Sequence, residues 1–271
     1  MNITQNIGIR ICGTGSSVPT RTVTNDDMAT IVETSDEWIS TRTGISERHF
    51  ADQETNLSLG TEAAEKAIAM AGIPREEIGV VICATITPDN IVPSQACLLQ
   101  KSLGLTEQIF AFDICAACTG FLYAMHTARS LLCTMPEKKY ALVVASELLS
   151  RVTNFADRNT CVLFGDGAGA AIFRLADTPF ALTLGARGSD VLHAGGPSRE
   201  GSAPITMDGK AVFRFAVDAL PKCLHTVLDE TGLTLDDLDW VVCHQANSRI
   251  IDHCIKALQA DPAKFYKNMD R

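Results

Sequence analysis

The sequence predicts an α/β fold built from two related halves, and three observations lead there. Strand-like and helix-like segments alternate along the chain. A helix–glycine–loop–strand passage recurs at a constant offset of 160 residues, so that Gly72 falls on Gly232. Apolar residues make up 46% of the 271 positions and charged residues 20%, which suits a large core and excludes a disordered or collagen-like chain.

Taken in order, Ile7–Gly13 reads as a strand. It runs into GTGSSVP (13–19), where Pro19 and the missing third glycine break the dinucleotide fingerprint. TSDEWISTRTGISERH then brings Trp38, Arg42 and Arg48 together. An exposed Trp38–Arg42 pair suits a planar base and a phosphate, and a core-packed Trp38 with a surface Arg42 fits the same letters. Leu57–Met70 is a helix, and the apolar run VVICAT makes Val80–Thr85 a buried strand. Pro93–Leu103 is a helix and Ile109–Ile114 a strand. Thr119–Cys133 places Phe121, Met125, Ala128 and Leu132 on one helical face. Tyr140–Ser146 and Ala168–Phe173 are strands, the second entered through FGDGAGAA (164–171), which reads as a tight turn with glycines at positive φ. Phe180–Ala186 and Trp240–Cys243 complete the predicted strands, and Phe213–Thr231 and Ser248–Leu258 the predicted helices.

The repeat matches AGIPREEIGVVICAT (71–85) with TGLTLDDLDWVVCHQ (231–245). Ile78 meets Leu238, Val81 meets Val241, and Cys83 meets Cys243. Physically it is a helix closed by a C′ glycine, an acidic loop and a buried strand; a chance likeness between two α/β units is the other reading, since that plan recurs widely. It divides the chain at 1–176 and 177–271. The first half continues past its shared strand to about Phe173; the second, on the same measure, is incomplete by roughly sixty residues.

A formal net charge of −9 argues against general nucleic-acid binding, which needs clustered Lys and Arg. No apolar run approaches the ~18 residues that span a bilayer, and the N-terminus lacks a basic stretch followed by an apolar block, so the expected compartment is the reducing cytosol. The 10 cysteines are scattered, several inside apolar runs, where they read as small buried hydrophobes.

Cys118 stands apart. It falls between a strand ending near Ile114 and a helix beginning at Thr119, where unsatisfied N–H groups and the positive end of the dipole favour thiolate, the nucleophilic form. Ala116, Ala117 and Gly120 are small enough for a tight turn and close substrate approach. A nucleophile and one more buried cysteine are both open on position alone. Cys115 and Cys118 also spell C-A-A-C, which invites a thiol–disulfide reading or half of a zinc site. His244 follows the apolar run Trp240–Cys243 and precedes Gln245, Ala246 and Asn247, which open a helix; a strand end is where α/β sheets bind ligands, and a carbonyl-bonded structural histidine is the other reading.

GTGSSVP, TSDEWISTRTGI, DICAACTGF, FGDGAGAA, MDGKAVFRFAV and VCHQANSRII, in this order, resemble β-ketoacyl-acyl-carrier-protein synthase III, the initiating condensing enzyme of type II fatty-acid synthesis, from about Ile7 to Arg271. The resemblance implies the thiolase-like fold, five layers of two pseudo-duplicated halves, and a homodimer. It implies that Cys118 takes the acyl group of a short acyl-CoA, commonly acetyl-CoA, and that His244 stabilises the enolate formed as malonyl-acyl-carrier protein loses carbon dioxide. No metal or redox cofactor is implied. Trp38, Arg42 and Arg158 would hold the CoA nucleotide, and Phe213 and Asn247 the pantetheine. Gln245, Ala246, Asn247, Ser248 and Arg249, with Arg214 and Lys256 and with Lys210 nearby, would form a basic carrier-protein edge; an ordinary solvated face is the other reading of those charges. The family's third catalytic residue, an asparagine in a G-N-T-S motif, would fall just past Arg271, and Asn268 is not that residue. Poor solubility and little condensation activity are the expectation for a product ending at Arg271. A polyketide-type starter ketosynthase and a non-catalytic fragment are the alternatives.

Overall fold

Extended β-branched and aliphatic segments can bury both faces only if helices cover both sides of the sheet they form. A computed structural model of the chain, which describes residues 7–196 and 203–270, shows that arrangement in the first of two compact units. That unit takes the chain up to Arg21, then His49–Arg151 and Gly165–Phe180. The second takes Thr22–Arg48, Val152–Phe164 and the residues from Ala181 onward.

In the first unit, β1 (Gly8–Ser17), β4 (Ile78–Ala84), β5 (Phe110–Ile114), β6 (Tyr140–Leu148) and β7 (Asp166–Ala176) form one mixed sheet in the order β1-β7-β6-β4-β5. β4 runs parallel to both β5 and β6, while β7 is antiparallel to β6 and to β1. Alternate residues of β4 and β6 point to opposite faces. Val81, Cys83, Leu142 and Val144 meet α3 (Asn56–Ala71) and α4 (Gln95–Ser102), whereas Val80, Ile82, Ala141 and Val143 meet α5 (Gly120–Leu132). The helical face read from Thr119–Cys133 is this contact: Ala124, Ala128 and Leu132 are buried, with Phe121 and Met125 packed at its margin.

Several boundaries differ from the sequence reading for local reasons. GTGSSVP does not follow β1; it is largely β1 itself, which runs on to Ser17. Its glycines serve packing, since a Cβ on Gly13 would stand 2.3 Å from the Ala67 carbonyl oxygen and one on Gly15 2.1 Å from that of Ala63. Helix α3 therefore lies directly on the β1 backbone. FGDGAGAA is likewise not a positive-φ turn: from Asp166 it is already β7, and neither Gly167 nor Gly169 has a positive φ. Phe180–Ala186 forms no strand; Phe180 instead lies under the Arg129 guanidinium, 4.2 Å from ring centroid to Cζ, and beside the His126 ring at 6.3 Å.

The second unit contains α1 (Asn25–Ala29), α2 (Asp36–Thr43), α6 (Arg158–Cys161), a two-residue-per-strand hairpin of β8 (Leu192–His193) and β9 (Thr206–Met207), α7 (Gly209–Thr231) and α8 (Ser248–Leu258). Short strands β2 (Arg21–Thr24) and β3 (Glu47–Phe50) pair as a ribbon where the chain passes from one unit to the other. Helix α7 begins four residues before the predicted Phe213, because Asp208 caps it by accepting from the Lys210 and Ala211 N–H groups.

The local chemistry of the repeat is the same at both copies. Gly72 ends α3 and Gly232 ends α7, both left-handed, at φ +60° and +69°. Each is followed by a 3-10 turn, Arg75–Glu77 and Leu235–Asp237. The outcomes then diverge. β4 is wholly buried, whereas Trp240–Cys243 makes a single parallel bridge, Val241 to Phe265, and leaves Trp240 61% and Val242 73% exposed. A strand is stabilised by its neighbours, and among the described residues this segment has one bridging residue rather than a ladder.

The close seat of α3 on β1 sets a stability prediction. Gly15→Ala drives a methyl group into the Ala63 carbonyl and is expected to cost at least about 2 kcal/mol. Urea unfolding would show a lowered midpoint; Gly169→Ala, where nothing lies within 4 Å of the added carbon, is the control.

Candidate active site and nucleotide clamp

Cys118 sits in a 3-10 turn, Ala117–Thr119, that joins β5 to α5. The turn is held by the Thr119 N–H and hydroxyl, which both donate to the Ala116 carbonyl, at 3.1 and 2.9 Å. Ala117, immediately before the sulfur-bearing residue, has φ +44°, a conformation costly for any residue with a Cβ. Gly120 follows, and a Cβ there would lie 3.1 Å from the Ala84 Cβ on β4. The chain is pinned on both sides, by a left-handed alanine and by a glycine pressed on the central strand, and Cys118 is left exposed at the sheet's C-terminal edge.

The electrostatics differ from the expectation for a helix start. The backbone N–H of Cys118 does favour thiolate. Crowding by surrounding protein is the larger effect and pushes the thiol up, and the negative charge of Glu147 adds to it. Glu147 is the residue the sequence reading missed, although a lone acid in the apolar strand ALVVASEL marks it. Its carboxylate, at the end of β6, accepts from the Ile86 and Thr87 N–H groups at 2.8 and 3.1 Å, from the Thr85 hydroxyl at 3.2 Å, and from the Thr87 hydroxyl. Burial raises its pKa while these donors pull it down. Asp113 on β5 accepts from the Gln95 and Ala96 N–H groups at 2.7 and 2.8 Å, tying the start of α4 to the strand that leads to Cys118.

His244 belongs to the second unit and follows the bridged Val241 segment. Desolvation lowers its pKa, so the imidazole is neutral at pH 7 and has one N–H to donate. The loop after it is clamped by Gln245, whose Nε2 donates to the Cys243 and Tyr266 carbonyls at 2.9 and 3.0 Å and whose Oε1 accepts from the Asn268 N–H at 3.2 Å. Asn247 caps α8, its Oδ1 accepting from the Arg249 N–H at 2.9 Å. Arg249 lies 5.7 Å from the Phe213 ring centroid. Ala246, Arg249, Arg214, Lys210 and Lys256 are exposed. The face of α8 that carries Lys256 also carries Asp252, which pairs with Lys267.

Trp38, Arg42 and Arg158 come together. The Arg42 guanidinium carbon is 4.6 Å and that of Arg158 5.0 Å from the centroid of the Trp38 ring. Arg42 also donates to the Trp38 carbonyl at 3.3 Å, and Arg158 to the Glu33 carbonyl at 2.9 Å. Two guanidiniums on one indole repel each other, and an arriving anion relieves that repulsion. The end of α2 rests against the start of α8: at Gly44, φ +80°, a Cβ would stand 2.6 Å from the Ser248 hydroxyl oxygen. Among the described residues no group of three or more His, Cys, Asp or Glu side chains could hold a metal ion, and no helix is long and apolar enough to cross a membrane.

An α/β/α unit with an accessible cysteine on a strained strand-to-helix turn has the construction of the thiolase-like condensing enzymes. The comparisons carry this to a family. A family model described as 3-oxoacyl-[acyl-carrier-protein (ACP)] synthase III matches residues 112–188, and its C-terminal companion matches 228–271. The β-ketoacyl-[acyl-carrier-protein] synthase III of Clostridium acetobutylicum is 43% identical over an alignment covering 96% of this chain and 84% of that protein. The crystal structure of 3-oxoacyl-(acyl carrier protein) synthase III from Pseudomonas aeruginosa PAO1 superposes with a TM-score of 0.90 at 36% identity, covering 97% of this chain and 83% of that one. The priming β-ketosynthase of the R1128 polyketide pathway superposes at 0.86 and 34%, covering 99% and 83%. The chain belongs to the β-ketoacyl-acyl-carrier-protein synthase III family, acyltransferase-type condensing enzymes.

The raised thiol has a measurable consequence. A pKa above the ordinary value of about 8.5 leaves Cys118 protonated at pH 7, so its alkylation rate by iodoacetamide should keep climbing past pH 8.5 instead of levelling near neutrality. Glu147→Gln removes a nearby negative charge and should move the profile to lower pH. Peptide mass mapping of labelled Cys118 reads both, and a plateau below pH 7.5 in the unmodified protein contradicts the assignment.

Proposed function

We propose that this chain primes fatty-acid synthesis, condensing an acyl group from acyl-CoA, acetyl in the first instance, with malonyl-acyl-carrier protein. The observation that carries the reading is the exposed Cys118 on its strained turn, inside the segment matched by the family model.

In this reading Cys118 Sγ attacks the thioester carbonyl carbon, the bond to the CoA sulfur breaks, and the CoA thiolate leaves and takes a proton. The acyl group stays on Cys118. Malonyl-acyl-carrier protein then loses carbon dioxide, and the electron pair of the broken C–C bond passes to the α-carbon and the thioester oxygen. The carbanion attacks the acyl carbon and expels Cys118 as thiolate. The β-carboxylate and its thioester supply their own electron sink, so the reading includes no metal or redox cofactor. His244, neutral because desolvation lowers its pKa, donates its N–H to the developing enolate oxygen, a kind of contact worth ~3 kcal/mol.

The paired guanidiniums on Trp38 support a CoA nucleotide held by Trp38, Arg42 and Arg158. Phe213 and Asn247 take the pantetheine arm. Gln245, Ala246, Asn247, Ser248 and Arg249, with Arg214 and Lys256, form the edge that meets the acidic carrier protein; the exposure of Arg214, Arg249 and Lys256 supports this. A homodimer in a reducing cytosol and a division into halves at 1–176 and 177–271 belong to the same reading. The likeness to a polyketide priming ketosynthase favours a second reading in which the same chemistry starts a polyketide chain.

Intact-mass analysis after incubation with acetyl-CoA tests the first half-reaction. One acetyl group should add to the protein and to Cys115→Ser, and none to Cys118→Ala. No adduct on the unmodified protein, or an adduct that survives Cys118→Ala, would contradict the reading; the thiol–disulfide reading predicts instead that Cys115→Ser and Cys118→Ser both abolish activity.

A further inference from the structure

Arg48 carries a charge into the interior of the second unit, where only 6% of the residue remains exposed. Its three acceptors are all neutral: the Val23 carbonyl at 3.2 Å, the Asn25 side-chain oxygen at 2.8 Å and the Val162 carbonyl at 3.1 Å. Its Nε is buried without a partner among the described residues. Burial presses the guanidinium towards neutrality, and Cys161, Asp27 and Glu47 oppose that. A group so costly to bury is a poor way to fill space, because an apolar side chain of similar volume would do so at less cost.

What Arg48 joins is specific. Its Nη2 bridges Asn25 and Val162. Asn25 is 1% exposed, and its amide nitrogen donates to Asp36 Oδ1 and to the Ile45 carbonyl, both at 2.8 Å. Asp36 is the first residue of α2, which supplies Trp38 and Arg42. Val162 is the cap that ends α6, which supplies Arg158. One chain of hydrogen bonds, Asp36–Asn25–Arg48–Val162, thus connects the two helices whose side chains meet on the indole. Arg42 and Arg158 carry like charges and would separate if the helices were free to move; Arg48 and Asn25 hold them in place from beneath.

We propose that Arg48 and Asn25 are positioning residues for nucleotide recognition: they fix α2 against α6 so that the Trp38–Arg42–Arg158 clamp is assembled before CoA arrives. The role in nucleotide binding rests on the CoA reading given above; the fixing of α2 against α6 does not. The planar fork is needed because a lysine ammonium cannot serve Asn25 and Val162 in the same geometry. Asn25→Asp leaves Arg48 its acceptor but sets a carboxylate against Asp36 and removes the donor that holds α2.

The test has two readouts in Arg48→Lys and Asn25→Asp, with Arg48→Met as the variant that removes the buried charge altogether. The first is the emission of Trp38 in a Trp240→Phe background, where it is the only tryptophan of the two in the chain. The second is the ratio of Cys118 acetylation kcat/KM for acetyl-CoA to that for acetyl-pantetheine, which lacks the nucleotide. The expected result is a red-shifted Trp38 emission and a ratio lowered about tenfold, the scale of one lost charged hydrogen bond. Unchanged emission with both substrates slowed in equal proportion would mean a merely structural role and overturn the proposal. A red shift with an unchanged ratio, together with an unchanged ratio in Trp38→Ala, would support the positioning and overturn the CoA reading instead.

Discussion

The turn from β5 into α5 is the constraint around which the first unit is organised. A strand that ends at Ile114 and a helix that begins at Gly120 leave five residues to reverse the chain. Those residues fit only because Ala117 accepts a left-handed conformation and Gly120 offers no Cβ to the Ala84 side chain. Strain of this kind persists where surrounding structure over-determines it. Here β4, buried on both faces, and α5, seated on it through Ala124, Ala128 and Leu132, supply that support. The turn then projects a side chain past the sheet edge, and that side chain is a thiol.

The thiol is accessible without being ionised. Helix-start geometry lowers a cysteine pKa, but crowding and the Glu147 carboxylate outweigh it at Cys118. Glu147 is bound by four donors from the segment after β4, so its charge is part of the scaffold and not a loose surface group. A protonated sulfur is less open to oxidation and alkylation than a thiolate.

The second unit deals with charge differently. Trp38 gathers two guanidiniums, an arrangement costly by itself and favourable to an anion. A third arginine, Arg48, is buried among neutral oxygens where its fork ties the supporting helices together. Two exposed arginines on the indole and a buried one between the supporting helices are joined through Asn25 and Asp36 into one hydrogen-bonded assembly.

Much of this was legible in the sequence. Apolar runs and helical spacing located β4, α3 and α5, because local periodicity reflects which faces are buried. The glycines at 72 and 232 marked both helix ends, since a left-handed cap favours the residue that has no Cβ. The spacing around Cys118 marked a strand-to-helix turn. What depended on neighbours distant in the chain was not legible. Gly13 and Gly15 look like turn residues until α3 is laid on them, and Trp240–Cys243 looks like a buried strand until its partners are counted. Phe180–Ala186 forms no strand, and Phe180 lies under the Arg129 guanidinium. The sign of the Cys118 shift, the strain at Ala117 and the bond network of Arg48 are sums over atoms from several segments, and only the tertiary structure decides them, because burial and hydrogen-bond geometry are properties of the packed chain and not of any one stretch of it.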